Sequence, residues 1–175
     1  LVIWDKVVAW TQRIPPFIIW DWKSSVLDLI NEENRNPLRW RWWDHDSPMS
    51  KIKIDKDIEN TLKEESLTLD SVIEKNRKIF VRSNSNLSTW WLAIDITDLI
   101  NKNIKDDCIK FCKTTQLKIA GVDIITKDIS KTLKETWWAI IETNETPWLR
   151  MHHFPSKWKS RNVAKEIIIL AFNTQ

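Results

Sequence analysis

Leu117-Lys118-Ile119-Ala120-Gly121-Val122-Asp123-Ile124-Ile125-Thr126 and Trp138-Ala139-Ile140-Ile141-Glu142-Thr143-Asn144 decide how this chain is read. Both runs are rich in β-branched and aliphatic residues, the signature of strands. Each carries one carboxylate inside an otherwise apolar stretch, Asp123 in the first and Glu142 in the second. Period-two alternation places Glu142 and Asn144 on one face of their strand. If the two runs pair as a hairpin, Asp123 joins that face. The three side chains then offer hard oxygen ligands of the kind Mg²⁺ takes, with phosphates completing its shell. A divalent cation would offset the cost of ionised groups in an apolar strand. The same pattern also fits two acids pointing outward from a half-exposed sheet, and alternation alone admits both.

Upstream, Leu1 to Ala9 reads as two short strands joined at Trp4-Asp5, a turn that wants residues tolerating positive φ. Pro15-Pro16 breaks the chain. Ser24-Ser25 can cap a helix running to about Asn34, whose apolar side is Val26, Leu27, Leu29 and Ile30. Asn36 to Ser50 is expected as a loop. Lys56 to Glu65 and Leu69 to Asn76 read as helical, Ile79 to Arg82 as a strand, and Asn84 to Trp91 as a polar loop entering the strand Leu92 to Ile96. Asn103 to Gln116 forms a helical pattern with Cys108 and Cys112 one turn apart, and a last helix runs from about Asn162 to Phe172. Strands and helices mix without a regular βαβ rhythm, so the expected class is α+β, mainly antiparallel sheet with flanking helices.

Composition excludes several classes. The chain of 175 residues is 42% hydrophobic and 29% charged, ordinary for a globular protein, and no apolar run approaches the roughly 20 residues of a membrane helix. Net charge is only +3 with basic residues scattered, which gives nucleic acid little support. Two cysteines are too few for a disulfide framework and read as reduced structural thiols of a cytoplasmic protein. Leu1-Val2-Ile3 reads as an internal cut in a longer chain rather than a signal peptide. His45, His152 and His153 lack metal-ligand spacing.

Thirteen tryptophans stand against one glycine, where average usage of about 7% would give about twelve glycines. The tryptophans fall at turns: Trp4-Asp5, Trp20-Asp21-Trp22, Trp42-Trp43-Asp44. These are glycine positions by local logic. One reading makes Trp42-Trp43, Trp90-Trp91 and Trp137-Trp138 stacking platforms of a non-catalytic binding module for carbohydrate or single-stranded nucleic acid. The other takes each tryptophan as standing where glycine belongs, so that literal tryptophans would strain φ > 0 positions.

Ordered motifs add a resemblance. Asn86-Leu87-Ser88-Thr89-Trp90-Trp91-Leu92-Ala93-Ile94-Asp95-Ile96 is similar to the Asn-Leu-Ser-Thr-Gly-Gly loop and strand of cyanophycin synthetases. Ala120-Gly121-Val122-Asp123 resembles their metal strand. Glu135-Thr136-Trp137-Trp138-Ala139-Ile140-Ile141-Glu142-Thr143-Asn144, followed by Pro147-Trp148-Leu149-Arg150-Met151-His152, resembles Glu-Thr-Gly-Gly-Ala-Ile-Ile-Glu-x-Asn and Pro-Gly-Leu-Arg-Met-His. The resemblance spans residues 1–175 and implies the C-terminal part of an ATP-grasp domain. The N-terminal ATP-grasp subdomain and the Mur-ligase-like domain are expected to be absent.

That resemblance implies a ligase using ATP and Mg²⁺. It would activate a carboxylate as an acyl phosphate and add aspartate to a polyaspartate backbone, with arginine and the cyanophycin polymer as further partners and a homo-oligomeric parent. Asp123, Glu142 and Asn144 would hold the metal. Asn86, Ser88, Thr89 and Asn144 would contact the nucleotide, and Arg13, Arg82 and Arg150 would serve phosphoryl groups. The fragment alone is expected to be inactive.

Overall fold

A computed structural model describes residues 1–37, 39–40, 49–72, 78–82, 92–132 and 134–173. The chain divides into two compact units, residues 1–12 with 94–175, and residues 13–93. Its crossings fall inside the strands β3 (Thr11–Ile14) and β8 (Leu92–Asp95).

The first unit is built on a four-stranded antiparallel sheet ordered β10-β9-β1-β2. Its strands are β1 (Val2–Ile3), β2 (Lys6–Val7), β9 (Ile119–Thr126) and β10 (Trp138–Asn144). The hairpin expected at Trp4-Asp5 forms, with Val2 opposite Val7. Val2 also pairs with Ala120, placing β1 between β2 and β9. Successive side chains of β1 enter different cores, as alternation requires. Val2 joins Ile96, Ile100, Ile104, Cys108, Cys112 and Ala120, the buried stripe of α3 (Lys102–Thr114) being Ile104, Cys108 and Cys112. Ile3 joins Leu1, Ala9 and Val163, the last at the start of α5 (Val163–Asn173). Both cysteines are free and buried, and burial pushes the Cys108 thiol up to about 12, so it is an inert packing residue.

The second unit has β4 (Phe17–Ile19) antiparallel to β7 (Lys78–Phe80), and β5 (Arg39–Trp40) parallel to β6 (Met49–Ser50). Its core gathers Ile18, Trp20, Val26, Ile30, Ile52, Ile58, Leu62, Leu67, Ile79 and Val81, drawing on α1 (Val26–Glu33) and α2 (Lys56–Glu64). Ser25 caps α1 in a full capping box with Asp28, matching the sequence expectation. A fourth short helix of the chain, α4 (Arg150–His153), lies in the first unit and was not expected.

Two expectations change. Leu69 and Asp70 form a turn rather than the start of a helix, Ser71 and Val72 are not helical, and the rest of that expected helix, 73–76, lies outside the described residues. Leu69 O and Ser71 O accept the Leu27 and Val26 amides at 2.9 and 3.1 Å, so these carbonyls complete the N-terminus of α1 instead of a helix of their own. Asn36 to Ser50 is not wholly loop, since β5 and β6 lie within it.

Among the described residues, five that are not glycine sit at left-handed φ: Trp4 (55°), Trp22 (66°), Ser66 (60°), Gln116 (61°) and Trp158 (74°). Three of the five are tryptophan. The glycine logic read from the sequence therefore holds at Trp4, Trp22 and Trp158, where a Cβ is unfavourable. Trp20 and Trp138 are strained differently: each buries an indole Nε1 with no partner among the described residues, a costly arrangement for a donor.

Candidate active site

The β9–β10 hairpin pairs Trp138 with Thr126, Ala139 with Ile125 and Ile140 with Ile124, and then slips by one residue. Ile141 is the extra residue of this bulge. Without it Ile141 would oppose Asp123; with it Glu142 does, and Asn144 then faces Gly121. A bulge re-aims side chains in this way, and here it brings Asp123, Glu142 and Asn144 to one face, as the sequence predicts. Asn144 Nδ2 donates to Glu142 Oε1 at 3.0 Å, so the amide oxygen is the atom Asn144 has left to offer a cation. Gly121 is needed opposite: a Cβ there would lie 3.0 Å from Pro147 Cβ and 3.7 Å from Asn144 Cβ.

The physical case for this set differs from the sequence argument. Glu142 and Asn144 are exposed and Asp123 is half-buried, so desolvation is not what calls for a cation. The remaining reason is juxtaposition: two carboxylates directly across an antiparallel pair repel, and a divalent ion between them reverses the sign of the interaction. Among the described residues no three His, Cys, Asp or Glu side chains group as a metal cluster. The set reaches three ligands only through the Asn144 amide, which suits Mg²⁺, an ion that keeps one or two carboxylates and takes its remaining oxygens from water and phosphate.

Arg150 opens α4, three residues beyond Pro147 in the same unit, with its guanidinium 5.7 Å from the Phe154 ring centroid. Arg13 lies in β3 and Arg82 just beyond β7, both in the other unit. Arg82 is 2% exposed and is held by carboxylates: Nη2 donates to Asp55 and Nη1 to Asp57 at 3.2 Å. Asn86, Ser88 and Thr89 lie outside the described residues, as do Trp42-Trp43, Trp90-Trp91 and His45.

Sequence reading missed a second polar group. Asp95, at the end of β8, is buried and accepts from Arg161 Nε and Nη2 at 3.1 and 2.7 Å. Arg161 also meets Asp98 at 2.9 Å, and Lys159 donates to Asp98 at 2.9 Å. Burial opposes ionisation of Asp95, yet the bonds from Arg161 and Thr97 hold its carboxyl below the usual range. The hydrogen bonds of Asp95 and Asp98 raise the Arg161 guanidinium still further. The signal was present in Ala93-Ile94-Asp95-Ile96, a carboxylate in an apolar strand, the same signal that drew attention to Asp123. Here it marks a buried ion pair rather than a ligand set. His152 is likewise buried, its Nδ1 2.9 Å from Thr11 Oγ1, and burial lowers it to about 3.

With this geometry in view, the chain can be set beside known proteins. It is 37% identical to the cyanophycin synthetase of Crocosphaera subtropica over 98% of its own length and 20% of the relative's. It is 35% identical to the glutathione biosynthesis bifunctional protein GshAB of Clostridium perfringens over 99% of its length and 22% of that protein. The crystal structure of a bifunctional glutathione synthetase from Pasteurella multocida superposes with a TM-score of 0.74 at 32% identity, covering 99% of this chain and 24% of that one. The α+β fold, antiparallel sheet with flanking helices, is the one found in the ATP-grasp region of that synthetase. The chain spans about a fifth of the length of the curated relatives it matches. No family model matches it. Among the described residues, no helix is long and apolar enough to cross a membrane.

Proposed function

We propose that this chain is the metal-holding part of an ATP-dependent carboxylate–amine ligase, cytoplasmic and of the cyanophycin synthetase kind, acting within a longer polypeptide. The observation that carries the reading is the bulged register that sets Glu142 against Asp123 with Asn144 beside them. Support also comes from the likeness to cyanophycin synthetases and GshAB proteins across nearly the whole chain.

Mg²⁺–ATP, when bound, supplies the phosphoryl group that turns a carboxylate into an acyl phosphate with release of ADP, after which an amine forms the amide and phosphate leaves. The chain's own side chains position and neutralise. Asp123 and Glu142 would hold the cation from paired positions on β9 and β10, so their spacing is fixed by backbone pairing rather than by loop geometry. Asn144 adds a neutral oxygen and, through Nδ2, orients Glu142. Gly121 keeps the facing position open. Arg150, Arg13 and Arg82 each carry the charge and planar donors that suit anionic phosphoryl or acyl-phosphate oxygens. The motif likeness assigns nucleotide contact to Asn86, Ser88 and Thr89. The substrates are aspartate, arginine and a polyaspartate-backboned polymer, and the parent works as a homo-oligomer.

The test has two parts. Mn²⁺ titration of the chain, followed by electron paramagnetic resonance, is expected to give saturable binding that Asp123→Asn and Glu142→Gln each abolish. In the longer parent polypeptide, ATP-dependent incorporation of aspartate and arginine is expected to be lost in the same variants. Unchanged Mn²⁺ binding in both would remove the metal assignment.

A further inference from the structure

Arg82 presents an uneven arrangement of donors. It follows β7 and is almost fully buried, with side-chain exposure of 2%. Nη2 donates to Asp55 Oδ2 and, at 3.4 Å, to Lys53 O; Nη1 donates to Asp57 Oδ2 at 3.2 Å. Nε is buried and has no acceptor among the described residues. A guanidinium carries its five donors in a rigid plane, so fixing both Nη groups also fixes where Nε–H points. An unsatisfied donor on a charged group in the interior is costly, and what this one lacks is a single oxygen acceptor.

The two carboxylates differ in weight. Asp57 is 69% exposed and its pairing is screened by solvent. Asp55 is 34% exposed and does two jobs, since Oδ1 also accepts the Ile58 amide at 3.2 Å as the N-cap of α2. Burial works against ionisation of Asp55, but the bonds from Arg82 and the Ile58 amide keep its carboxyl below the usual range.

We propose that Asp55, supported by Asp57, is a positioning residue for Arg82, holding the guanidinium by its Nη edge so that Nε is the donor kept for one anionic oxygen of a phosphoryl or acyl-phosphate group. The proposal rests on the assignment of Arg82 to phosphoryl groups made above. Asp55 touches no reacting atom; it acts by setting the direction of a donor and rooting it to the start of a helix.

The test uses the side-chain Nε–Hε resonance of Arg82, assigned by its disappearance in Arg82→Lys, and inorganic phosphate as the probe. Phosphate is expected to shift this resonance saturably in the wild-type chain. Asp55→Ser keeps an N-cap acceptor for α2 while removing the carboxylate from Arg82. It should retain helical circular dichroism and weaken the phosphate response about tenfold or more, the scale of one hydrogen bond to a charged group; Asp57→Asn should weaken it less. If Asp55→Ser does not fold, Asp55→Asn, which keeps the N-cap acceptor and the side-chain length but removes the charge, is read in its place. A wild-type resonance indifferent to phosphate overturns the proposal, and so does a folded Asp55→Ser chain that responds like wild type. Mn²⁺ binding lost in Asp123→Asn alongside a silent Arg82 leaves the ligase reading standing and removes only this inference. An Arg82 that responds in a chain that binds no Mn²⁺ does the reverse.

Discussion

Replacing Trp4, Trp22 and Trp158 together by glycine should stabilise the chain. Their φ values of 55°, 66° and 74° lie in the left-handed region, which costs a non-glycine residue about 1–2 kcal/mol. Glycine removes that cost but gives the unfolded chain more freedom, at about 0.5–1 kcal/mol per site. Little packing is lost, because the three side chains are 49%, 53% and 72% exposed. Trp4 gains least, since its ring lies 5.9 Å from Lys118 Nζ, a contact worth about 0.5–1 kcal/mol; Trp158 gains most. The net is about 2 kcal/mol for the triple variant, or roughly 4–8 °C in Tm for a chain of this size. Thermal unfolding followed at 222 nm measures it, with Trp→Ala at the same three positions as control. Alanine keeps the Cβ and therefore the strain. If the alanine triple matches the glycine triple, or if neither rises above the parent, positive φ is not what these positions resist. Intact-mass measurement of the naturally expressed chain gives a second reading, because a chain bearing glycine at these sites is much lighter.

Other predictions concern the site and its supports. Asp123→Asn should abolish the stabilisation that added Mn²⁺ gives the parent; denaturant titration with and without metal reads it. Gly121→Ala should weaken Mn²⁺ binding, because the new Cβ at 3.0 Å from Pro147 Cβ must push that segment or Asn144 aside; binding equal to the parent would show that the facing position has room. Acid should destabilise the fold through His152. Its folded value of about 3 lies below the unfolded value of about 6.5, so the unfolded chain takes up the proton first. Stability is then full above about pH 6.5 and falls, on the order of 1 kcal/mol per pH unit, down to about pH 3. Urea midpoints across that range should flatten in His152→Asn, and an unchanged slope would rule His152 out as the source.

Sequence periodicity was sufficient for the elements whose information is local. The capping box at Ser25 and Asp28, the i, i+4 stripe of Ile104, Cys108 and Cys112, and the two apolar runs ending at Thr126 and Asn144 each specify their element through neighbours within a turn or a strand. The same local logic marked Trp4 and Trp22 as glycine-like. What it misjudged depends on partners distant in sequence. Leu69 and Ser71 spend their carbonyls on α1, and a carboxylate in an apolar strand means a buried ion pair at Asp95 but, at Asp123, a half-buried carboxylate facing the exposed Glu142.

By itself the sequence determined the first hairpin, the helices α1, α2, α3 and α5, the strands β9 and β10, the α+β class and the motifs shared with ATP-grasp ligases, because periodicity, capping and residue order are properties of the chain. Only the tertiary structure decided that Ile141 bulges out so that Glu142 meets Asp123. It alone shows that Arg82 is held by Asp55, because register and buried pairing depend on which strands and helices come together in space.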